Sequence, residues 1–212
     1  MPNILTVDDH SVIRKGLKQI IEEHIPHCKF DEAIDGDTAY EKIRQNNFDL
    51  IILDVNMPNT DSFGLLSNIL SYKPESKIIM FSINSEDIYA KRYLKIGAMG
   101  YLTKGAPENE IIKAIDTVLN NKRYISPELS QKLLSELHAN RVSENPFDKL
   151  SSREFEIVQH LAQGESVSRI CNKLNLHSST VSTYKARIFE KLGCQNIVDL
   201  NSLAKVHNVI LS

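Results

Sequence analysis

The chain of 212 residues contains no tryptophan and only three cysteines, Cys28, Cys171 and Cys194. Odd in number and far apart, they form neither a disulfide framework nor a zinc-binding spacing, so they read as reduced thiols of a cytoplasmic protein. No apolar stretch approaches the roughly 20 residues that cross a bilayer, and no membrane partner is expected. Asp8 and Asp9 fall within the first ten residues, where a basic start followed by an apolar core would mark a secretory leader. The sequence therefore predicts none. Charge of neither sign dominates, with a net value of -2. What remains, 42% hydrophobic and 25% charged residues, is the profile of a globular chain long enough for one or two domains.

The charge is unevenly spread. Residues 1–125 hold 15 Lys+Arg against 18 Asp+Glu, residues 126–149 hold 3 against 4, and residues 150–212 hold 7 against 5. A mildly basic C-terminal part behind an acidic N-terminal part hints at nucleic acid for the former.

Along the first 122 residues, short apolar runs alternate with amphipathic stretches. Asn3 to Val7, Phe30 to Ile34, Leu50 to Leu53, Lys77 to Phe81 and Gly100 to Thr103 read as strands. Between them lie helical patterns: Ile13, Leu17, Ile20 and Ile21; Ala39, Tyr40 and Ile43 behind a cap at Asp37; Phe63 to Leu70; Glu86 to Ile96; and Glu108 to Leu119. Five repeats of this kind predict an α/β doubly wound, five-stranded parallel sheet, flavodoxin-like, with helices on both faces. Leu50-Ile51-Ile52-Leu53-Asp54 is its centre, an apolar run that ends in a carboxylate.

Asp8, Asp9, Asp54, Ser82 and Lys104 all fall at strand ends, the rim where such sheets bind ligands. Each alone has a bland reading, as a cap, a turn residue or a surface charge. Together they are chemically coherent. Three unpaired carboxylates call for a divalent cation, and Mg²⁺ accepts hard oxygen ligands. One carboxylate can be a nucleophile toward phosphorus, and a hydroxyl and an ammonium can hold the arriving phosphoryl oxygens.

The set Asp8-Asp9, Asp54-x-x-Met57-Pro58, Ser82 and Lys104 resembles the receiver domain of two-component response regulators. The resemblance implies that a sensor histidine kinase phosphorylates Asp54. It implies that Asp9, Asp54 and the backbone carbonyl of Asn56 bind Mg²⁺, with Asp8 acting through water. Ser82 and Tyr101 match the family's switch positions, and Lys104 the lysine that contacts the phosphoryl group. Two departures stand out: Ser62 where Gly is common, and Ile83 where a small residue is usual. A β-branched Ile83 beside the phosphoryl group would narrow access and alter the lifetime of the phosphorylated state.

Residues 123–148 read as a partly helical linker, with a helix over Pro127 to His138 and a polar stretch from Ala139 to Lys149. Residues 149–212 read as a compact all-α unit of four helices. Ser151 and Glu154 have the spacing of a capping box, and Gly164 closes the first helix. Ser166 opens the second helix and Ser178 is placed as the cap of the third, which ends at Gly193; Asn196 to Val206 is the fourth. Val181, Ile188, Phe189 and Leu192 of the third helix are expected inward. Two short helices joined by a tight turn describe a helix-turn-helix.

The exposed face of that third helix offers Ser178, Ser179, Thr180, Ser182, Thr183, Tyr184, Lys185, Arg187 and Lys191 for DNA. Short polar side chains suit base edges, while Lys and Arg suit phosphates. Leu150-Ser151-x-Arg153-Glu154 and Thr180-Val181-Ser182-Thr183-Tyr184 through Lys191-Leu192-Gly193 resemble the LuxR-type DNA-binding domain of the NarL/FixJ response regulators. The resemblance makes Glu154 structural and implies a homodimer, formed on phosphorylation, that binds double-stranded promoter DNA. Tyr184 stands where His is usual and Ser182 where Lys is frequent, which bears on the DNA sequence read. The main competing reading is an enzyme that turns over phosphate through an aspartyl intermediate. Another is a receiver with an RNA- or protein-binding output. No catalytic constellation in the second domain favours turnover.

Overall fold

The computed structural model describes all residues except 59, 139–144, 175, 208 and 210–212, and the side chains of 136–138. It divides into two compact units, Met1–Ser130 and Gln131–Ser212.

The first unit is a five-stranded parallel sheet in the order β2-β1-β3-β4-β5. Its strands are β1 (Asn3–Val7), β2 (Lys29–Ala33), β3 (Leu50–Asp54), β4 (Ile78–Ser82) and β5 (Gly100–Thr103). Between them run α1 (Ser11–His24), α2 (Gly36–Gln45), α3 (Ser62–Tyr72) and α4 (Glu86–Ile96), and α5 (Glu108–Leu119) follows β5. β3 and β4 are buried along their whole length, as continuous apolar runs covered on both faces must be. The registers Val7↔Leu53, Asp54↔Phe81 and Ser82↔Thr103 bring the carboxyl ends of the inner strands level. Helices α1 and α5 cover one face through Leu17, Ile21, Ile111, Ala114, Ile115 and Val118.

Three local expectations shift in the first unit. β4 begins and ends one residue later than Lys77–Phe81, with Ser82 paired to Thr103. β2 begins and ends one residue earlier than Phe30–Ile34, because Lys29 N–H bonds the Pro2 carbonyl and Ala33 pairs with Val7, leaving Ile34 outside and exposed. The cap of α2 is Asp35, not Asp37: Asp35 has extended backbone and accepts from Thr38 N–H at 2.8 Å, while Asp37 lies in the first turn.

After α5 comes α6 (Pro127–His138), as its leucine spacing predicts; its Leu129 is buried and its Leu134 exposed. The polar stretch that follows falls in part on 139–144, outside the described residues, and ends in a short 3₁₀ turn, Pro146–Lys149.

The second unit contains α7 (Ser152–Ala162), α8 (Val167–Leu174), α9 (Ser178–Leu192) and α10 (Ile197–Val206). Ser151 and Glu154 form a complete capping box at α7. Ser178 does not cap α9. His177 occupies that position, its carbonyl accepting from Thr180 and Val181 N–H, and Ser178 is the first helical residue. Gly193, left-handed at φ 68°, ends α9 where a side chain would be strained. Val181 and Ile188 are fully buried, whereas Phe189 and Leu192 are half-buried.

Candidate functional site

The rim of the sheet gathers Asp8 and Asp9 just after β1, Asp54 at the end of β3, Ser82 at the end of β4 and Lys104 just after β5. Their side-chain chemistry converges. Lys104 Nζ lies 2.8 Å from Asp8 Oδ2 and 2.9 Å from Asp54 Oδ2. Both acids are almost fully buried, and neither of these oxygens accepts a well-aligned hydrogen bond among the described residues. One ammonium is thus shared by two buried carboxylates, with Asp9 beside them. Ligand atoms of Asp8, Asp9, His10 and Asp54 all lie within 4.8 Å of one another.

The electrostatics follow from this arrangement. Burial pushes the Asp54 carboxyl above the usual aspartate range, and the Asn56 N–H (2.9 Å from Oδ1) and Lys104 recover only part of that cost. Burial alone would lower the Lys104 ammonium, but its contacts with Asp8 and Asp54 outweigh it and hold the group above the ordinary lysine value. The pocket keeps its positive partner firmly charged and still carries surplus negative charge. Such a donor set, of hard oxygens only partly compensated, fits a small divalent cation.

The predicted switch residues form a second layer. Ser82 Oγ donates to the Asn56 side-chain oxygen at 2.8 Å and accepts from Asn84 N–H at 3.0 Å. Tyr101 is turned inward and buried, and its hydroxyl donates to the Asn84 carbonyl at 3.1 Å. Burial raises that hydroxyl's pKa far above the ordinary tyrosine value, so it stays a donor. Ser62 makes use of its hydroxyl: it meets Tyr93 Oη at 2.8 Å, and the Tyr93 ring stacks on Phe63 at 4.2 Å. Ile83 is 56% exposed, with its bulk at the surface.

Three neighbours escaped the sequence reading. His10 Nδ1 lies 2.9 Å from Asp9 Oδ1, and Arg14 ties the acidic loop down by donating to the Asp8 carbonyl at 2.7 Å and to Glu32. The Asn56 side chain is the acceptor that holds Ser82. Adjacency to the acid pair, helical spacing from it and nearness to Asp54 were the available signals; none carries a geometry without the fold.

In the second unit, Ser178, Ser179, Ser182, Thr183 and Arg187 are exposed on α9, and Thr180, Tyr184 and Lys185 are half-buried. Ser179, Thr180, Thr183, Tyr184 and Arg187 line one shallow concavity. Lys185 Nζ lies over the Phe189 ring, 5.5 Å from its centre. Lys191 differs from the rest: its ammonium is 2.7 Å from Glu154 Oε2 and 2.9 Å from Oε1, an internal anchor between α9 and α7.

A parallel sheet with three acids and a lysine at its rim, in a chain that also holds a helix-turn-helix, defines a phosphoacceptor module with a nucleic-acid-binding output. Residues 4–116 match the family described as response regulator receiver domain, and residues 148–204 the one described as bacterial regulatory proteins, luxR family. The response regulator GacA of Pseudomonas viridiflava is 34% identical over 210 residues, covering 99% of this chain and 98% of the relative. The response regulator UvrY of Escherichia coli (strain K12) is 34% identical over 99% of this chain and 96% of its own. Among solved structures, RcsB from Salmonella enterica serovar Typhimurium bound to promoter rprA in the presence of phosphomimetic BeF3- is 23% identical, with a TM-score of 0.75 over 97% of this chain and 99% of that one. That last likeness speaks to the fold. The chain belongs to the response regulators of the NarL/FixJ type, with a receiver domain and a LuxR-type DNA-binding domain; these are transcription regulators, not turnover enzymes.

Proposed function

We propose that Asp54 accepts a phosphoryl group from a sensor histidine kinase and that its phosphorylation controls binding of the α9 face to double-stranded promoter DNA. The observation that carries this reading is the buried carboxylate of Asp54 at the sheet rim, sharing Lys104 with Asp8. In our division, residues 1–122 are the receiver, 123–148 the linker and 149–212 the DNA-binding domain. The protein acts in the cytoplasm.

An Asp54 carboxylate oxygen attacks phosphorus, the donor's bond to phosphorus breaks, and the leaving group takes the electron pair. Asp9, Asp54 and the Asn56 carbonyl would hold Mg²⁺, with Asp8 acting through water. What that ion supplies is neutralisation of the crowded carboxylates and of charge on the phosphoryl oxygens. Lys104 is placed to hold one phosphoryl oxygen. Ser82 reaches another only by leaving Asn56, and the Asn84 loop, on whose carbonyl the already buried Tyr101 hydroxyl rests, shifts with it. These movements bias a two-state equilibrium.

On the output side, Ser178, Ser179, Thr180, Ser182, Thr183 and Tyr184 would face base edges, and Lys185 and Arg187 phosphates. Lys191, held by Glu154, contributes to DNA through its position rather than as a free charge. The phosphorylated protein binds as a homodimer to two half-sites.

The test uses duplexes selected from a random-sequence pool with the wild-type protein. Acetyl phosphate and Mg²⁺ should tighten binding by the wild type and leave Asp54→Asn unchanged. Equal binding before and after treatment would overturn phosphorylation control. Preference for single-stranded RNA over the duplex would point to a different output.

A further inference from the structure

The chain after α5 folds back along the open edge of β5 before α6 begins. Tyr124 N–H donates to the Met99 carbonyl at 2.8 Å, and its hydroxyl donates to Glu110 at 3.0 Å. A Cβ at Gly100 would stand only 3.3 Å from Tyr124 Cβ, so the bare glycine admits the segment at this distance. Ser126 comes next, 2% exposed. Its hydroxyl accepts from Leu129 N–H at 3.0 Å, capping the first turn of α6, and donates to Glu86 Oε2 at 2.6 Å. Ser130 N–H closes the same turn on the Ser126 carbonyl at 2.9 Å. A serine hydroxyl has one proton to give. The rotamer that caps α6 is therefore fixed by the first residue of α4.

Glu86 is four positions beyond Ser82, at the end of the loop that carries Asn84. Among the described residues that loop is held by Asn84 N–H on Ser82 Oγ, Asn84 Nδ2 on the Asn56 side-chain oxygen at 3.4 Å and Tyr101 Oη on the Asn84 carbonyl, and Ser85 at the head of α4 makes no side-chain cap bond. Its hold depends on where the Ser82 hydroxyl points, now toward Asn56. A phosphoryl oxygen on Asp54 is a stronger acceptor than an amide oxygen. When Ser82 turns to it, Asn84 N–H must follow or lose its partner, and the head of α4 moves with the loop. The Glu86 carboxyl is raised by burial and steadied by the Ser126 hydroxyl and backbone, while its buried Oε1 meets no hydrogen-bond partner among the described residues.

We propose that Glu86 and Ser126 are positioning residues that transmit the state of the Asp54 pocket to the first turn of α6, the helix leading out of the receiver. The inference rests on the phosphoacceptor reading of Asp54. Its distinct content is the route: Ser82, the Asn84 loop, the Glu86 carboxylate, the Ser126 hydroxyl and the amides of Leu129 and Ser130.

The experiment follows hydrogen exchange of the Leu129 and Ser130 amides in the full chain, with and without acetyl phosphate and Mg²⁺, after intact mass has shown the extent of labelling. In the wild type, phosphorylation should change exchange at these amides about threefold or more, the scale of a local opening. Glu86→Ala should still be labelled on Asp54 but should lose that response. Glu86→Gln, which keeps an acceptor oxygen for Ser126, should restore it. A merely structural role would raise exchange equally in both states of Glu86→Ala and preserve the phosphorylation response; that outcome, or a labelled wild type with unchanged amides, overturns the proposal. Absence of label in the wild type would instead strike down the phosphoacceptor reading beneath it.

Discussion

Asp54 and Glu154 are both buried carboxylates, 1% and 3% exposed, and each has a lysine ammonium within 2.9 Å. Their chemistry differs. For Glu154, burial opposes ionisation, but Lys191, the Ser151 backbone and the Ser151 side chain outweigh it and hold its carboxyl below the usual glutamate range. Among the described residues Lys191 pairs with that one acid, and the Ser151 N–H adds a bond of 2.7 Å. Asp54 shares its lysine with Asp8, has a third acid beside it, and is held above its ordinary value. Burial does not separate a site from a structural anchor here; completeness of compensation does. The compensated acid ties two helices together. The under-compensated one keeps the surplus negative charge that a divalent cation would neutralise.

Breaking the compensated side should have the largest effect on stability. Glu154→Ala removes the capping box and leaves Lys191 without its partner, and should cost the second unit about 2–3 kcal/mol in denaturant unfolding. The first unit's transition should not move. On the other side, Mg²⁺ at about 100 times its Kd should stabilise the first unit by about 2.7 kcal/mol, and Asp9→Ala should abolish the shift; stabilisation that survives in Asp9→Ala would place the ion elsewhere.

The pH dependences should run in opposite directions. Glu154, depressed in the folded state, contributes stability above its unfolded pKa that is lost as pH falls through the lower folded value. Asp54, raised in the folded state, binds its proton more tightly when folded, so its contribution falls as pH rises from the unfolded value through the folded one. Melting each unit between pH 3 and pH 7 should therefore show Glu154→Gln flattening the acid-side loss in the second unit. Asp54→Asn should flatten the opposing slope in the first. The same sign of change in both variants would refute the distinction.

The smallest effect should come from Ile83. With its side chain at the surface, Ile83→Ala should change the dephosphorylation rate by less than about threefold, under roughly 0.7 kcal/mol of barrier. A larger change would mean that the side chain swings over the phosphoryl group.

The acidic pocket was legible because strand period and sheet topology carry Asp8, Asp54, Ser82 and Lys104 to one rim without knowledge of any side-chain contact. The helix-turn-helix was legible from Gly164, Gly193 and the capping box. What the sequence concealed were choices between near-equal neighbours. Asp35 and Asp37 are both good caps, and only the turn out of β2 selects the first. Ser178 is a better capping residue than His177, but the chain enters the helix one residue earlier. Lys191 looks like its neighbours Lys185 and Arg187 until packing of α7 against α9 brings Glu154 beneath it. The Glu86–Ser126 bond spans 40 positions and follows no periodicity.

The most direct test is incubation with acetyl phosphate over a range of Mg²⁺ concentrations, read by intact mass for the wild type and Asp54→Asn. One phosphoryl group on the wild type, dependent on Mg²⁺ and absent from Asp54→Asn, is the predicted result. Equal labelling of Asp54→Asn, or labelling of the wild type that ignores the divalent cation, would contradict it.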